Sequence, residues 1–183
     1  MSTDSVPGMG SVATSSLLVL AAFAVMEPVT AATHRWVMHG IGERLHRSHH
    51  RTRAGRWEAN DAFPVMFAAV VCVGLWVGFN RPGWAGLVPV GVGVTLYGVA
   101  YAIVHDVYIH RRLALFGGRR IAVLERLAAA HRVHHLYSGA PYGMLLPIVP
   151  RELRERAART SRDPLRDPLR DPGRERVATT PRP

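Results

Sequence analysis

The chain has 183 residues, the size of one domain, and 48% of them are hydrophobic although 20% are charged. Its single cysteine, Cys72, excludes an internal disulfide and a metal site built from several thiolates. All 23 basic residues are arginines and the net charge is +10. These arginines flank apolar blocks, so contact with lipid headgroups explains them and no nucleic-acid partner is expected.

Three apolar blocks, residues 12–33, 62–79 and 84–104, are predicted to be membrane-spanning helices. Each has about the 20 residues that a helix needs to cross a bilayer. A soluble chain of this size could not bury three helices that are apolar on every side. The flank MSTDSVPGMG has no basic residue, which argues against a secretory signal peptide. Cys72 lies in the second block and is expected to be a small buried hydrophobe.

The arginines predict the orientation of these helices. They follow the first block, from Arg35 to Arg56, and the third block, from Arg111 to Arg132, whereas only Arg81 lies in the turn NRPGW between the second and third blocks. The positive-inside bias therefore places the histidine-rich segments and the C-terminus in the cytoplasm. We expect a multi-pass protein of the cell inner membrane.

The composition changes at residue 151. From there to residue 183 the chain is rich in Arg, Asp, Pro and Glu, with RDP repeated every four residues. Proline disfavours a helix and mixed charge disfavours a core, so this tail is predicted to be disordered. The predicted organisation is a short N-terminal segment (1–11), a membrane domain (12–150) and the tail (151–183).

Ten histidines form one pattern that occurs twice. Each copy has two histidines five residues apart, followed by His-x-x-His-His. The first copy is His34, His39, His46, His49 and His50, and the second is His105, His110, His131, His134 and His135. Ten histidines with a repeated spacing point to metal binding rather than to isolated surface residues.

Helical geometry supports this interpretation. Positions i, i+3 and i+4 share a face, so each His-x-x-His-His set can converge as three imidazoles. The i, i+5 pairs are about 140° apart around an α-helix, so they either reach two different ions or straddle one ion from a distorted helix end. Ten ligands exceed the four of a structural zinc, and two ions with about five imidazoles each is the natural division. Imidazole ligands suit iron, and iron, unlike zinc, can activate O2 against a C–H bond of a long apolar substrate at the membrane surface.

Four polar residues are candidates for supporting roles. Glu27 lies in or near the bilayer core, where it either binds a ligand imidazole or makes a helix-packing contact. Asp106 adjoins His105 and could hold its tautomer, or it could cap a helix or pair with an arginine. Asn60 and Asp61 open the second block, and one of them is expected to be an N-cap.

The motifs HRWVMHG, LHRSHH, WEANDAF, YAIVHDVYIHRR, AHRVHH and YGMLLP, with Met26 and Glu27 before them, occur in this order. Over about residues 20 to 150 the chain resembles the bacterial β-carotene 3-hydroxylases of the fatty acid hydroxylase superfamily. The resemblance implies a non-haem di-iron membrane monooxygenase that hydroxylates the β-ionone rings of β-carotene, giving β-cryptoxanthin and then zeaxanthin. It implies the ten histidines as ligands of two Fe, O2 as cosubstrate and ferredoxin as electron donor.

Other classes share parts of the pattern. A sterol or fatty acyl hydroxylase, or an acyl desaturase, uses similar histidine motifs, and only the resemblance separates the substrates. A membrane metal transporter would need its polar ligands near the bilayer midplane, whereas these histidines are predicted to gather at one face. A zinc-stabilised scaffold would need fewer ligands.

The chain carries no credible electron source of its own. GVGVTLYG, residues 91–98, lies inside an apolar block without a preceding strand, so close helix packing through small residues is predicted rather than nucleotide binding. An acidic electron donor is therefore expected to dock on the basic cytoplasmic face. The predicted face carries Arg44, Arg47, Arg51, Arg53, Arg56, Arg111, Arg112, Arg119, Arg120 and Arg126, against Glu43, Glu58 and Glu125.

Overall fold

A computed structural model describes residues 9–51, 57–113 and 115–165. Every regular element in these ranges is helical and none is a strand, which confirms the all-α prediction. The α-helices are α1 (Met9–Ala32), α2 (Glu43–His46), α3 (Ala62–Asn80), α4 (Leu87–Ala102), α5 (Ala122–Tyr137) and α6 (Arg151–Ala158). A first π-helical segment (Thr33–Ile41) continues α1, a second (Ile103–Ile109) continues α4, and a 3-10 turn (Ala59–Asp61) precedes α3.

Three helical runs among the described residues are long and apolar enough to cross a membrane. They are Ser11–Ile41, Ala59–Asn80 and Leu87–Ile109, which confirms the three predicted spans. Their side chains project outward: α3 buries only Phe63 and Gly78. Apolar surface on this scale requires lipid around it. The protein is therefore an integral membrane protein.

Cys72 belongs to this outward-facing surface. The sequence-based expectation that it is buried is wrong, because Cys72 is exposed on α3. A protein of three spans has little interior, so a small apolar side chain in a span can face lipid at no cost.

Helix α4 packs between α1 and α3, and glycines allow the close approach. A Cβ atom added at Gly91 would lie 2.5 Å from Leu75 Cδ2 of α3. A Cβ atom added at Gly93 would overlap the carbonyl oxygen of Val19 in α1. Both glycines are buried, which confirms that GVGVTLYG serves helix packing.

The two π-helical segments lie at the same end of the bundle as the start of α3. The first contains His34 and His39, and the second contains His105 and ends at its C-cap, His110, whose backbone N–H donates to the carbonyl of His105 at 2.9 Å. Hydrogen bonds from residue i+5 to residue i place those two residues one above the other, unlike in an α-helix. The helix therefore changes type where it reaches the histidines.

Helix α5 packs against the second π-helical segment beyond the apolar spans. Val104, Tyr108 and Ile109 form a buried cluster with Met144, which follows α5 in the chain. At the end of α5, Ser138 has a left-handed backbone (φ 52°) that turns the chain back toward the bundle. The cluster holds α5, with its three histidines, against the end of α4.

The prediction of a disordered tail from residue 151 is wrong for its first part, which forms α6. Residues 151–163 contain no proline, and RELRERAA consists of good helix formers. Ala157 is buried, and the Arg132 guanidinium of α5 donates to the carbonyls of Ala157 at 3.3 Å and Thr160 at 3.0 Å. Residues 166–183, which hold the other RDP repeats, lie outside the described residues.

Candidate metal centre

All ten histidines converge at one end of the bundle, in two groups. In each group, four histidines each offer one ring nitrogen, and these nitrogens all lie within 4.8 Å of one another. The first group contains His34, His39, His46 and His134. The second group contains His49, His110, His131 and His135.

His50 and His105 complete the arrangement. His50 Nε2 lies 3.1 Å from His46 Nε2 and 3.2 Å from His134 Nε2, so His50 adjoins the first group. His105 Nε2 lies 3.0 Å from His49 Nε2, so His105 adjoins the second group. Five imidazoles therefore surround each centre.

The i, i+5 pairs do not divide between the groups. His34 and His39 belong to the first group, with ring centroids 5.1 Å apart, and His105 and His110 adjoin the second, with centroids 4.5 Å apart. Of the two possibilities left open by the sequence, a locally distorted helix end is the one observed. The π-helical backbone supplies the distortion.

The His-x-x-His-His sets, in contrast, do divide. His46 and His50 adjoin the first group whereas His49 joins the second, and His131 and His135 join the second whereas His134 joins the first. The expectation that each set presents three converging imidazoles is therefore wrong. Residues i and i+4 point to one centre and residue i+3 points to the other, so each set bridges both centres.

Backbone and amide oxygens hold several imidazoles by the nitrogen that faces away from the groups. His34 Nδ1 lies 3.0 Å from the Tyr142 carbonyl, and His134 Nδ1 lies 2.6 Å from the Gly139 carbonyl. His46 Nδ1 lies 2.7 Å from Asn60 Oδ1. Each of these oxygens is an acceptor, so each Nδ1 is the protonated donor.

In the second group, carboxylates accept the Nδ1 hydrogen bonds of two histidines. Glu58 Oε2 accepts from His49 Nδ1 at 3.1 Å, and Asp106 Oδ1 accepts from His105 Nδ1 at 2.9 Å. The Arg112 guanidinium forms ion pairs with three carboxylates. Its Nη2 lies 3.1 Å from Glu58 Oε2, its Nη1 lies 2.6 Å from Asp61 Oδ1, and its Nε lies 3.7 Å from Asp106 Oδ1. This guanidinium balances the partly buried acidic charge next to the site.

These contacts determine what the centres can bind. A neutral imidazole that donates from Nδ1 presents only a lone pair at Nε2. His34 and His46 both donate outward, yet their Nε2 atoms face each other at 3.1 Å, a separation at which two lone pairs repel. A cation between the nitrogens would turn this repulsion into coordination, so the donor set fits a metal ion.

The protonation states agree with this fit. Burial lowers the pKa of His46 and of His49 to about 4, and that of His50 to about 3. Burial also holds the pKa values of His131 and His135 well below their usual range. At neutral pH these side chains are uncharged, which is the form that binds metals.

The structure decides between the alternatives left open for the polar candidates. Asp106 accepts from His105 Nδ1 and also lies 3.7 Å from Arg112, whereas Glu27 makes a helix-packing contact with the Tyr97 hydroxyl of α4 and binds no imidazole. The expectation that Asn60 or Asp61 caps a helix with its side chain as an N-cap is wrong: Glu58 is the N-cap of the 3-10 turn, Asp61 accepts from its backbone N–H within the capping box, and Asn60 binds His46. Arg112, expected on a docking face, is instead largely buried among carboxylates.

Sequence reasoning missed the supporting roles of Glu58, Asn60 and Arg112. A signal was present, because WEANDAF places three polar side chains directly before an apolar span. Such residues are costly at a membrane boundary unless they have partners. The carbonyl acceptors of Gly139 and Tyr142 left no signal, because every residue has a carbonyl.

The helical bundle and its two histidine groups define a class of membrane protein with two clusters, each of which could hold a metal ion, at one end of its spans. The fatty acid hydroxylase family model matches residues 19–153, and the chain belongs to this family.

Curated relatives extend the match. The chain is 38% identical to a β-carotene hydroxylase of Pseudescherichia vulneris over 76% of this chain and 81% of the relative. It is 38% identical to a β-carotene hydroxylase of Pantoea ananas over 68% of this chain and 70% of the relative. A chloroplastic β-carotene 3-hydroxylase of Haematococcus lacustris is also 38% identical, but the match spans only 46% of that longer protein. No solved structure matches the chain.

Proposed function

We propose that this protein is a non-haem di-iron membrane hydroxylase that adds hydroxyl groups to the β-ionone rings of β-carotene, forming β-cryptoxanthin and then zeaxanthin in carotenoid biosynthesis. The observation that carries the proposal is the pair of five-imidazole groups at one end of a membrane bundle. Its similarity to the bacterial β-carotene hydroxylases over most of both chains supports the substrate.

Each iron would be held by one histidine group. The first iron would take His34, His39, His46, His50 and His134, and the second would take His49, His105, His110, His131 and His135. Iron bound there would supply O2 activation toward an unactivated C–H bond. The chain's own residues hold the imidazoles: Asn60, Glu58 and Asp106 accept Nδ1 protons and keep Nε2 directed inward.

The position of the site suits an apolar substrate. Both π-helical segments form the ends of candidate membrane-spanning runs, which supports a position of the histidines at the boundary between lipid and water. A carotenoid dissolved in the bilayer can reach this boundary with its terminal ring. Reaction at a ring, rather than along the polyene chain, follows from this placement.

The proposed function is tested by carotenoid and metal analysis of the same protein. Expression in a β-carotene-producing host should yield β-cryptoxanthin and zeaxanthin, and the purified protein should hold close to two irons per chain, because about five imidazoles surround each centre. A single tightly held zinc without iron would contradict the di-iron assignment. Two irons with no hydroxylated carotenoid would retain the metal centre and point to a sterol or fatty acyl substrate.

Membrane orientation is a second prediction. We infer from the arginine bias that the histidine end and the C-terminus face the cytoplasm. A reporter fused after Pro183 should therefore be active in the cytoplasm, and one inserted near Pro82, in the turn between α3 and α4, should be active outside. The opposite pattern would move the metal centre to the outer face.

The electron donor is inferred to be a separate acidic protein such as ferredoxin. Insertion of one oxygen atom, with release of the other as water, requires two electrons and two protons. Arg44, Arg47 and Arg51 are exposed on the segment that carries His46, His49 and His50. Exposed basic residues beside the site would speed encounter with an acidic donor. Arg53 and Arg56 of the predicted face lie outside the described residues.

Salt dependence tests this docking. In a variant with Arg44, Arg51 and Arg119 all changed to Gln, the turnover rate at limiting ferredoxin should fall by about tenfold at low salt and respond less to added salt. Arg81→Gln is the control, because Arg81 is exposed at the turn on the opposite end of the bundle. Equal turnover in the wild type, the triple variant and Arg81→Gln, with no effect of ionic strength, would exclude electrostatic docking on this face.

A further inference from the structure

Glu27 is a carboxylate inside a membrane-spanning run, and it is surrounded by donors. Its Oε2 accepts from the Tyr97 hydroxyl of α4 at 2.6 Å and from the backbone N–H of Leu145 at 3.1 Å. Its Oε1 accepts from the backbone N–H of Leu146 at 2.8 Å. A charged or polar group at this depth is costly unless it is fully bonded, and these three bonds satisfy it.

The two amide donors belong to the segment that follows α5, residues 141–146, here called the anchor segment. The Tyr142 carbonyl of the same segment accepts from His34 Nδ1 at 3.0 Å. Glu27 and His34 are seven residues apart, so they lie on one face of the helical run, about 10 Å apart along its axis. The anchor segment is thus attached to this face at two points, and one of them is a histidine of the first group.

The fit between the anchor segment and Glu27 is close. A Cβ atom added at Gly143 would lie 2.6 Å from Glu27 Oε1, so no side chain can be placed there without displacing the carboxylate. Met144 is buried in the cluster of the second π-helical segment, while Leu146 is exposed on the apolar surface. The Tyr142 ring lies 5.6 Å from the His34 ring and 5.8 Å from the His134 ring. The segment therefore lies against the first histidine group.

We propose that Glu27 is a positioning residue that sets the register of the anchor segment on α1, so that the Tyr142 carbonyl holds His34 Nδ1–H and directs Nε2 into the first group. The inference rests on the proposed metal centre, but the contacts that carry it do not depend on which metal or substrate is bound. Glu27 touches no metal-facing nitrogen, so it acts on the centre only through the segment.

The first test changes Glu27 itself. In Glu27→Gln the side-chain NH2 would face the backbone N–H of either Leu145 or Leu146, so one of these amides loses its acceptor. We expect amide hydrogen exchange in residues 141–146 to become about tenfold faster, and the iron affinity of the first group to fall by about 10- to 100-fold. At limiting iron the variant should retain about one iron per chain. Glu155→Gln on α6 is the matched control, because Glu155 is an exposed carboxylate.

The second test changes Gly143, the residue of the anchor segment that faces Glu27. Gly143→Ala places a methyl group against Glu27 Oε1 and should reproduce both the faster exchange and the weaker iron binding without changing any acidic residue. Tyr97→Phe removes one donor but keeps both amide bonds, so it should have a smaller effect. The Gly143 variant also keeps the test valid if Glu27→Gln fails to fold.

Two results would overturn the inference. The first is wild-type exchange and iron affinity in both Glu27→Gln and Gly143→Ala. The second is a Glu27→Gln protein that loses activity while exchange and iron binding stay normal, because Glu27 would then act in the chemistry rather than in positioning. If the wild-type protein itself bound no iron, the proposed function would fail, whereas the exchange measurements would still decide whether Glu27 anchors the segment.

Discussion

Replacement of His134 by alanine is expected to reduce hydroxylation by at least about 100-fold and to lower iron content at the same time. His134 is fully buried, its Nδ1 is held by the Gly139 carbonyl, and its Nε2 lies within 3.2 Å of both His39 Nε2 and His50 Nε2. Loss of this imidazole removes a metal-facing nitrogen that no neighbouring side chain can replace. Iron per chain and carotenoid turnover should be measured on the same preparation.

The structure also predicts which variants should resemble one another. His134→Ala should match His46→Ala, because both remove an imidazole of the first group, and His49→Ala should match His131→Ala in the second. The spectroscopic signature of the remaining iron distinguishes the two pairs. Val123→Ala, at an exposed site on α5, is the control and should stay at the wild-type level. Full activity in the His134 variant would contradict the ligand assignment.

Asp106→Asn provides a graded comparison with the ligand variants. An asparagine Oδ1 can still accept from His105 Nδ1, but it lacks the negative charge that strengthens this bond. We expect iron affinity at the second group to fall by about 10- to 100-fold and to recover at saturating iron. Loss of iron as complete as in His49→Ala would show that Asp106 does more than orient His105.

Arg112→Leu is expected to destabilise the protein by about 3 kcal/mol, the low end for a buried pair, because it leaves partly buried carboxylates without their cation. The Arg112 side chain is only 17% exposed and lies within 3.1 Å of Glu58 and 2.6 Å of Asp61. Glu58 in turn accepts from His49, so the variant should also bind iron less tightly at the second group. Thermal unfolding in detergent, with and without iron, measures both effects.

Two further variants separate charge from geometry at Arg112. Arg112→Lys keeps the charge but not the planar fork that contacts several carboxylates, so it should restore only part of the stability. Arg120→Leu removes an exposed arginine that lies 3.3 Å from Glu125, and it should cost no more than about 1 kcal/mol. Equal losses in Arg112→Leu and Arg120→Leu would refute the structural role of Arg112.

Local sequence patterns were sufficient to predict the membrane-spanning helices and to identify the ten histidines as candidate metal ligands. Length and uninterrupted hydropathy determine whether a segment can cross a bilayer, and both are properties of consecutive residues. The repeated histidine spacing is equally local. The prediction of a tail disordered from residue 151 failed because α6 precedes the first proline of the tail and docks on Arg132, a residue of α5.

The sequence by itself determined an all-α membrane protein with ten histidines in two matching sets. Only the tertiary structure decided how these histidines divide, because each centre takes imidazoles from segments as distant as His39 and His134. The π-helical backbone brings residues five apart into one group, and the His-x-x-His-His sets send their members to both. The partners Asn60 and Arg112 became visible only when the chain was folded, because a hydrogen bond depends on the spatial approach of donor and acceptor. Spacing along the chain does not encode that approach.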